Sequence, residues 1–302
     1  MKELYGVTIA MTTPFDGEGK VDVAAIEKTT DALIKSGVDC LYPCGTTGEM
    51  SRLTIEERKK IAETVVRAAD KRVTVFIHVG ADDPTASTEL ARHAAEIGAD
   101  GVGIVTPLFL HVSDRELEEY YLNIASQLPS DFPIYLYNIP QCAANDLTAK
   151  TAKTIYQKAE NVVGIKYSFL DMNRTAEYLN ISDKFSVLHG SDKFFSSLLV
   201  LGCRGTVSGV GGVFPEPFVR VYDAYKKGNI PEMQHWQKAA REICDILKCG
   251  SNMAYFKSGL DFRGLTGGHM RRPQMDLSEA EKCSLYKELS EFCKKYNISE
   301  KI

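Results

Sequence analysis

An α/β fold, a closed (β/α)8 TIM barrel with a C-terminal helical appendix, is predicted by three features of the 302-residue sequence. Eight short β-rich apolar runs recur along the chain, helix-start chemistry lies between them, and the runs stop after Lys227-Gly228-Asn229. Strands alternating with helices form parallel sheets, because each crossover helix covers a face of the sheet. Eight such units in about 225 residues favour closure into a barrel over an open doubly wound sheet.

The runs are Gly6–Met11, Asp39–Cys44, Val73–Val79, Gly101–Thr106, Pro133–Asn138, Val162–Ser168, Phe185–His189 and Gly205–Val210. Thr54 with Glu57, Ser113 with Glu116 and Ser278 with Glu281 each fit a capping box, in which side chains satisfy the unpaired N–H groups of a helix start. Asp83-Pro84 offers an N-cap followed by a proline whose fixed φ suits the first helical position. Gly98 and Gly202 fall where helices stop in a left-handed residue. Beyond the last run, helices are expected from Pro231 to Lys248, around Tyr255–Phe262 and from Ser278 to Tyr296, with Gly264–Pro273 as a loop. The expected division is a barrel catalytic domain over residues 1–227 and a helical region over residues 228–302.

Hydrophobic residues make up 44% and charged residues 25% of the chain, ordinary values for a soluble globular protein. Thirty-six basic against 40 acidic residues leave a net charge of −4, with no basic footprint for nucleic acid. No stretch approaches the roughly 18 apolar residues of a membrane span, and Met1 to Gly6 lacks a signal-like apolar region. The expected location is cytoplasmic. None of the eight cysteines forms a Cys-x2-Cys pair, so they read as reduced small hydrophobes, and no metal is expected.

The run Val162-Val163-Gly164-Ile165-Lys166 places a lone lysine near the end of a strand whose composition suits burial on both faces. Burial disfavours an ammonium, and a neutral amine is a nucleophile toward carbonyl carbon. Lys166 is therefore either a Schiff-base lysine or a barrel lysine paired with a carboxylate. Cys44 to Glu49 encloses the hydroxyls of Thr46 and Thr47 between Gly45 and Gly48, either a cradle for a small carboxylate or a plain tight turn. Tyr137 ends the fifth run, on the same face as Tyr135, and is either a proton relay or a packing aromatic. His78 and His189 lie on strands and read as hydrogen-bonded core residues. Neither a Walker loop nor a dinucleotide turn is present.

Taken together, Thr13-Pro14-Phe15, Gly45 to Glu49, Thr106-Pro107, Tyr137 to Pro140 and Gly164-Ile165-Lys166 resemble the dihydrodipicolinate synthase and N-acetylneuraminate lyase superfamily. The segments occur in that family's order and spacing over essentially the whole chain. The resemblance implies a class I aldolase or lyase in which Lys166 forms a Schiff base with pyruvate, with no metal or organic cofactor. It implies that Tyr137 and Thr46 relay protons, that Thr46 and Thr47, with Gly45, hold the pyruvate carboxylate, and that the assembly is a homotetramer built as a dimer of dimers.

Departures from the family bear on the second substrate. Leu108 and Phe109 stand where the synthases carry two tyrosines, and Cys142 stands where they carry an arginine that binds the aldehyde's carboxylate. Ile77 to Gly80, Lys166-Tyr167-Ser168 and Gly190-Ser191-Asp192 lean toward the lyases. On that resemblance Asp192 and Ser208 contact the distal part of the substrate. Lys193 replaces a lyase glutamate, and Gly209 stands where the lyases have a serine. The expected substrates are a 2-oxo acid and an aldehyde, such as the halves of a 2-keto-3-deoxy sugar acid or an N-acetylneuraminate-like molecule, with a negative group near Lys193. The alternatives are dihydrodipicolinate synthase itself, and a catalytically impaired protein that binds 2-oxo acids.

Overall fold

The structure is a computed structural model describing residues Met1–Ile302, and each of the eight apolar runs forms a strand. The first half of the barrel comprises β1 (Gly6–Ala10), α1 (Val23–Lys35), β2 (Cys40–Tyr42), α2 (Ile55–Ala69), β3 (Thr74–His78), α3 (Pro84–Glu96), β4 (Gly101–Val105) and α4 (Asp114–Ala125). The second comprises β5 (Ile134–Asn138), α5 (Ala149–Lys158), β6 (Val162–Tyr167), α6 (Met172–Leu179), β7 (Ser186–His189), α7 (Phe195–Leu201), β8 (Gly205–Ser208) and α8 (Pro215–Lys226). Then follow α9 (Ile230–Ile246), α10 (Met253–Phe262) and α11 (Glu279–Tyr296). All strand pairs are parallel and β8 returns to β1, so the sheet has no free edge.

Local chemistry sets the helix starts. Thr54, Ser113 and Ser278 close complete capping boxes with Glu57, Glu116 and Glu281. Asp83 caps α3 ahead of Pro84, and Gly98 and Gly202 have φ of +77° and +119°. Both strand faces are apolar because both are covered. Val7, Ile9, Leu41, Ile77 and Ile104 pack outward with the helix residues Ile26, Ile61, Val65, Leu90 and Ile124. Ala10, Cys40, Tyr42, Phe76, Tyr135, Val163, Leu188 and Val207 fill the barrel interior, with Leu4 from the N-terminal segment. Trp236, Ile243, Leu260, Leu289 and Phe292 of the last three helices share the outer core with the barrel. No helix is long and apolar enough to cross a membrane.

One irregularity positions the site. Between β5 and β6, Ile134 pairs with Val162 but Tyr135 pairs with Gly164, so β6 carries one extra residue at Val163. A bulge breaks the two-residue alternation of side chains. Val162 packs outward and Val163 inward, yet Ile165 and Tyr167 pack outward again. Lys166 consequently faces the interior, where strict alternation from Val163 would have turned it toward the helices. Gly164 permits the close approach: a Cβ there would stand 2.1 Å from the Ser186 carbonyl oxygen and 2.8 Å from the Tyr135 ring. Gly164→Ala is expected to destabilise the protein by about 3 kcal/mol, read as a lowered urea midpoint.

Candidate active site

The candidate residues gather at the C-terminal ends of the strands. Lys166 is 4% exposed, and its Nζ lies 3.9 Å from the ring centroid of Tyr137 and 4.8 Å from that of Tyr42. It makes no ion pair. The contrast is Lys257 on α10, equally buried, whose Nζ lies 2.7 Å from Glu49 Oε1 and donates to the His269 carbonyl at 2.5 Å. A buried ammonium is ordinarily compensated in this way. The Lys166 amine is left facing aromatic rings.

The Tyr137 hydroxyl lies 3.4 Å from Thr46 Oγ1, and its ring stands edge-on to His78 at 5.8 Å between centroids. Tyr42 reaches across the interior toward β4, where Gly103 leaves room. A Cβ on Gly103 would stand 1.8 Å from the Tyr42 hydroxyl oxygen. That hydroxyl is buried without a hydrogen-bond partner, and burial holds its pKa well above the usual phenol value. His78 is fully buried, and burial with the nearby Arg58 charge keeps it neutral. As the tautomer protonated on Nδ1 it donates to the Cys44 carbonyl at 3.1 Å. Arg58 donates to the carbonyls of His78 and Gly80 at 2.8 and 2.9 Å. The floor beneath the turn is thus fixed from α2.

The turn itself is held from three directions. Cys44 and Glu49 at its ends have φ of +63° and +59°, left-handed values uncommon outside glycine. Within it, the N–H groups of Gly48 and Met50 donate to the Gly45 carbonyl at 3.0 and 3.2 Å. Thr13 Oγ1 donates to the Gly48 carbonyl at 2.8 Å. The Glu49 carboxylate joins Lys257 on one oxygen and Arg52 at 2.8 Å on the other. Phe15 lies between Lys257 and Arg271, at 4.3 and 4.1 Å from its centroid. Arg271 also donates to Glu57 at 2.8 Å and to the Arg52 carbonyl at 2.6 Å. The loop after α10 therefore clamps the Thr13–Phe15 segment and the turn together.

Toward β7 and β8, Asp192 accepts hydrogen bonds from Ser208 Oγ at 2.8 Å and Thr206 Oγ1 at 3.0 Å. Burial raises its carboxyl to about 6 against these two bonds. Ser208 Oγ also accepts from the Gly211 N–H at 2.7 Å, so its hydroxyl is fully engaged. The Lys193 ammonium is paired with Asp245 of α9 rather than free. Asp192 and Lys193 line a cavity of about 420 Å³ with Gln141, Ser168, Ser191 and Phe194 among its other walls. No group of three or more His, Cys, Asp or Glu side chains is arranged to hold a metal ion.

Of the residues singled out in the sequence, Lys166, Tyr137 and Thr46 come together. Gly45 and Thr47 lie in the same turn, and Thr47 Oγ1 is 3.1 Å from where a Cβ on Gly209 would stand. Asp192, Ser208 and Lys193 form a separate group on the β7–β8 side. Phe109 is 87% exposed and Cys142 is exposed. Sequence reasoning missed Tyr42, Arg58 and the Glu49–Lys257 pair. Tyr42 had a signal, since it shares the strand face of Cys40, two residues before the turn. The pair had none, because its members are 208 residues apart in number.

A buried lysine at the C-terminal mouth of a (β/α)8 barrel, with a phenol and a threonine hydroxyl beside it, is the arrangement of a carbonyl-condensing aldolase or lyase. The dihydrodipicolinate synthetase family matches residues 3–292, and the chain belongs to that family of lyases. A 4-hydroxy-tetrahydrodipicolinate synthase of Methanococcus maripaludis is 30% identical over 95% of this chain and 98% of its own. YagE, a prophage protein of the dihydrodipicolinic acid synthase family from E. coli K12 solved with pyruvate, superposes with a TM-score of 0.91 at 28% identity, covering 96% of this chain and 99% of its own. A catalytic lysine mutant of Ruminococcus gnavus sialic acid aldolase superposes with a TM-score of 0.90 at 26% identity, covering 98% of this chain and 100% of its own.

Two outcomes follow from these contacts. Lys257→Met leaves Glu49 to Arg52 alone and is expected to cost roughly 3 kcal/mol, most of it regained in the Glu49→Gln/Lys257→Met double variant, by urea denaturation. Asp192 holds its proton more tightly folded than unfolded, so its contribution is greatest below its ordinary pKa of 3.8 and is lost as pH rises to about 6. Wild type should lose on the order of 3 kcal/mol relative to Asp192→Asn across that window, since one pKa unit corresponds to about 1.4 kcal/mol. Equal pH profiles for the two proteins would refute this.

Proposed function

We propose that the protein is a pyruvate-dependent Schiff-base aldolase or lyase that forms or cleaves a 2-oxo acid. The carrying observation is Lys166, a buried amine with no carboxylate partner, beside a Tyr137 hydroxyl that meets Thr46. The pyruvate bound in YagE and the catalytic lysine of the sialic acid aldolase support this reading.

The Lys166 amine adds to the pyruvate carbonyl carbon, water leaves, and a protonated imine remains. Thr47 and the backbone at Gly45 hold the carboxylate. In the cleavage direction the same imine forms on the 2-oxo acid; Tyr137 removes the proton from that acid's hydroxyl, the carbon–carbon bond breaks, the aldehyde leaves, and the electron pair passes to the imine as an enamine. Thr46 relays the proton, which returns to the enamine carbon before water releases pyruvate. In synthesis the enamine attacks an aldehyde. General acid–base groups of this kind contribute about 10²–10⁴-fold.

The partner is proposed to be a polyhydroxylated aldehyde, so that the 2-oxo acid is a 2-keto-3-deoxy sugar acid or an N-acetylneuraminate-like molecule. Ser168, Ser191, Gln141 and Asp192 offer hydroxyl-binding groups on one wall of the cavity. A negative group on the substrate would approach Lys193 by exchanging with Asp245. Condensation with aspartate semialdehyde is the second reading, favoured by the Methanococcus relative. Against it stands Cys142, which offers no bidentate donor for that aldehyde's carboxylate. Four copies are proposed to assemble, covering apolar side chains such as Phe109 and Leu110, 87% and 69% exposed in the single chain.

Pyruvate with borohydride should add one reduced pyruvyl group at Lys166, and Lys166→Ala should take up none. Equal labelling of both would exclude the imine. Tyr137→Phe should lower turnover by about 10²-fold or more. A panel of 2-keto-3-deoxy acids, N-acetylneuraminate, and aspartate semialdehyde with pyruvate, followed by pyruvate release or consumption, separates the two substrate readings. Light scattering should give four times the 33.5 kDa chain mass.

A further inference from the structure

The two threonines of the hydroxyl turn are placed by different means. Thr46 Oγ1 meets the Tyr137 hydroxyl at 3.4 Å, whereas the Thr47 side chain packs against Gly209, just beyond β8. A Cβ on Gly209 would stand 3.1 Å from Thr47 Oγ1 and 3.3 Å from its Cγ2. Both are closer than the roughly 3.5–4.0 Å of a comfortable non-bonded contact. The same Cβ would stand 2.8 Å from Cε2 of Phe256 on α10. Gly209 has φ of −80° and ψ of −39°, a conformation any residue adopts, so space alone calls for glycine here.

The Phe256 ring has little room to withdraw. It is buried, and Gly250 comes so near that a Cβ there would lie 3.3 Å from Phe256 Cζ. The next residue of α10 is Lys257, whose ammonium reaches Glu49 Oε1 at 2.7 Å, just past Thr47 in the turn. Adjacent side chains on a helix diverge by about 100°, and α10 thereby reaches the hydroxyl turn at two places. Lys257 is itself held, because its Nζ also donates to the His269 carbonyl at 2.5 Å. Gly267 runs so close that a Cβ on it would lie 1.9 Å from the Lys257 carbonyl oxygen. The His269 N–H in turn donates to the Phe15 carbonyl at 2.8 Å.

We propose that Phe256 and Lys257 of α10, acting through Gly209 and Glu49, are positioning residues for the carboxylate of the captured 2-oxo acid. The inference rests on the reading of Lys166 as an imine-forming lysine and of Thr47 as a donor to that carboxylate. Neither α10 residue acts on the substrate directly. Phe256, packed against Gly209, limits where the Thr47 side chain can sit, and Lys257 holds Glu49 at the end of the turn, where its φ is +59°. Hydrogen-bond donors favour a carboxylate only while they are aimed at one place. The turn, so held, makes the amine prefer a 2-oxo acid to a simple ketone, and loosening α10 removes that preference without altering Lys166.

The test compares borohydride trapping at Lys166 of pyruvate and of acetone, a carbonyl compound without a carboxylate, in the full-length protein. Gly209→Ala is expected to raise the pyruvate concentration for half-maximal trapping at least about fivefold, with the saturating rate and acetone trapping kept within about twofold. Adding Phe256→Leu to that variant withdraws the ring and should restore most of the pyruvate preference. Glu49→Gln/Lys257→Met, which is expected to regain its urea midpoint, should still show the loss of preference. Equal losses for pyruvate and acetone, an unchanged half-saturation in Gly209→Ala, or a defect that Phe256→Leu leaves in place overturns the role of Phe256. Pyruvate capture regained together with stability in the Glu49→Gln/Lys257→Met protein overturns the role of Lys257. A wild type that takes up no pyruvyl group at Lys166 refutes the aldolase reading and this inference with it, whereas a labelled wild type with unresponsive variants refutes this inference alone.

Discussion

The close approach of β6 to its neighbours at Gly164 decides where the amine of Lys166 points. An extra residue at Val163 shifts the side-chain alternation by one, and only a residue without a Cβ fits beside the Ser186 carbonyl. With regular alternation the lysine would face an outer core of branched aliphatic and aromatic side chains. The shift instead sets the amine among Tyr42 and Tyr137, inside a closed sheet whose backbone groups are already paired. The phenol, the hydroxyl turn and the polar residues after β7 and β8 owe their mutual distances to the same closure, since each sits at the end of a neighbouring strand.

Two buried lysines show how the surroundings decide the fate of the same side chain. Lys257 is neutralised by Glu49, and burial lowers its pKa against that partner. The pair links α10 to a turn whose end residues hold left-handed conformations, and strained conformations persist where the surrounding structure over-determines them. Lys166 has no such partner, and its Nζ faces the rings of Tyr42 and Tyr137 instead. Removing a carboxylate makes a buried amine chemically available, while supplying one makes it a strut.

The architecture was legible from the sequence because its signals are local. All eight strands, the three capping boxes, the proline-led α3 and the left-handed Gly98 and Gly202 are determined by neighbours in the chain. Lys166, Tyr137 and Thr46 were legible from family segments, and the structure brings the three together. The bulge was not, because Val163 and Gly164 read as ordinary strand residues until the register with β5 is known. The partners of Lys193 and Ser208 were hidden for the same reason: Asp245 and Asp192 reach them through tertiary packing. A charged residue placed at a site by sequence can have its charge already compensated.

The two groups of polar residues occupy different arcs of the barrel mouth. The lysine side is built on β2, β5 and β6, whereas Asp192, Lys193 and Ser208 belong to β7, β8 and the segment following β7. The arcs meet where β6 pairs with β7, Lys166 opposite Leu188 and Tyr167 opposite His189, so the position of the lysine and that of the far arc depend on one shared register. A substitution that loosened this shared register would therefore be felt at both groups at once, however far apart their side chains lie in the sequence.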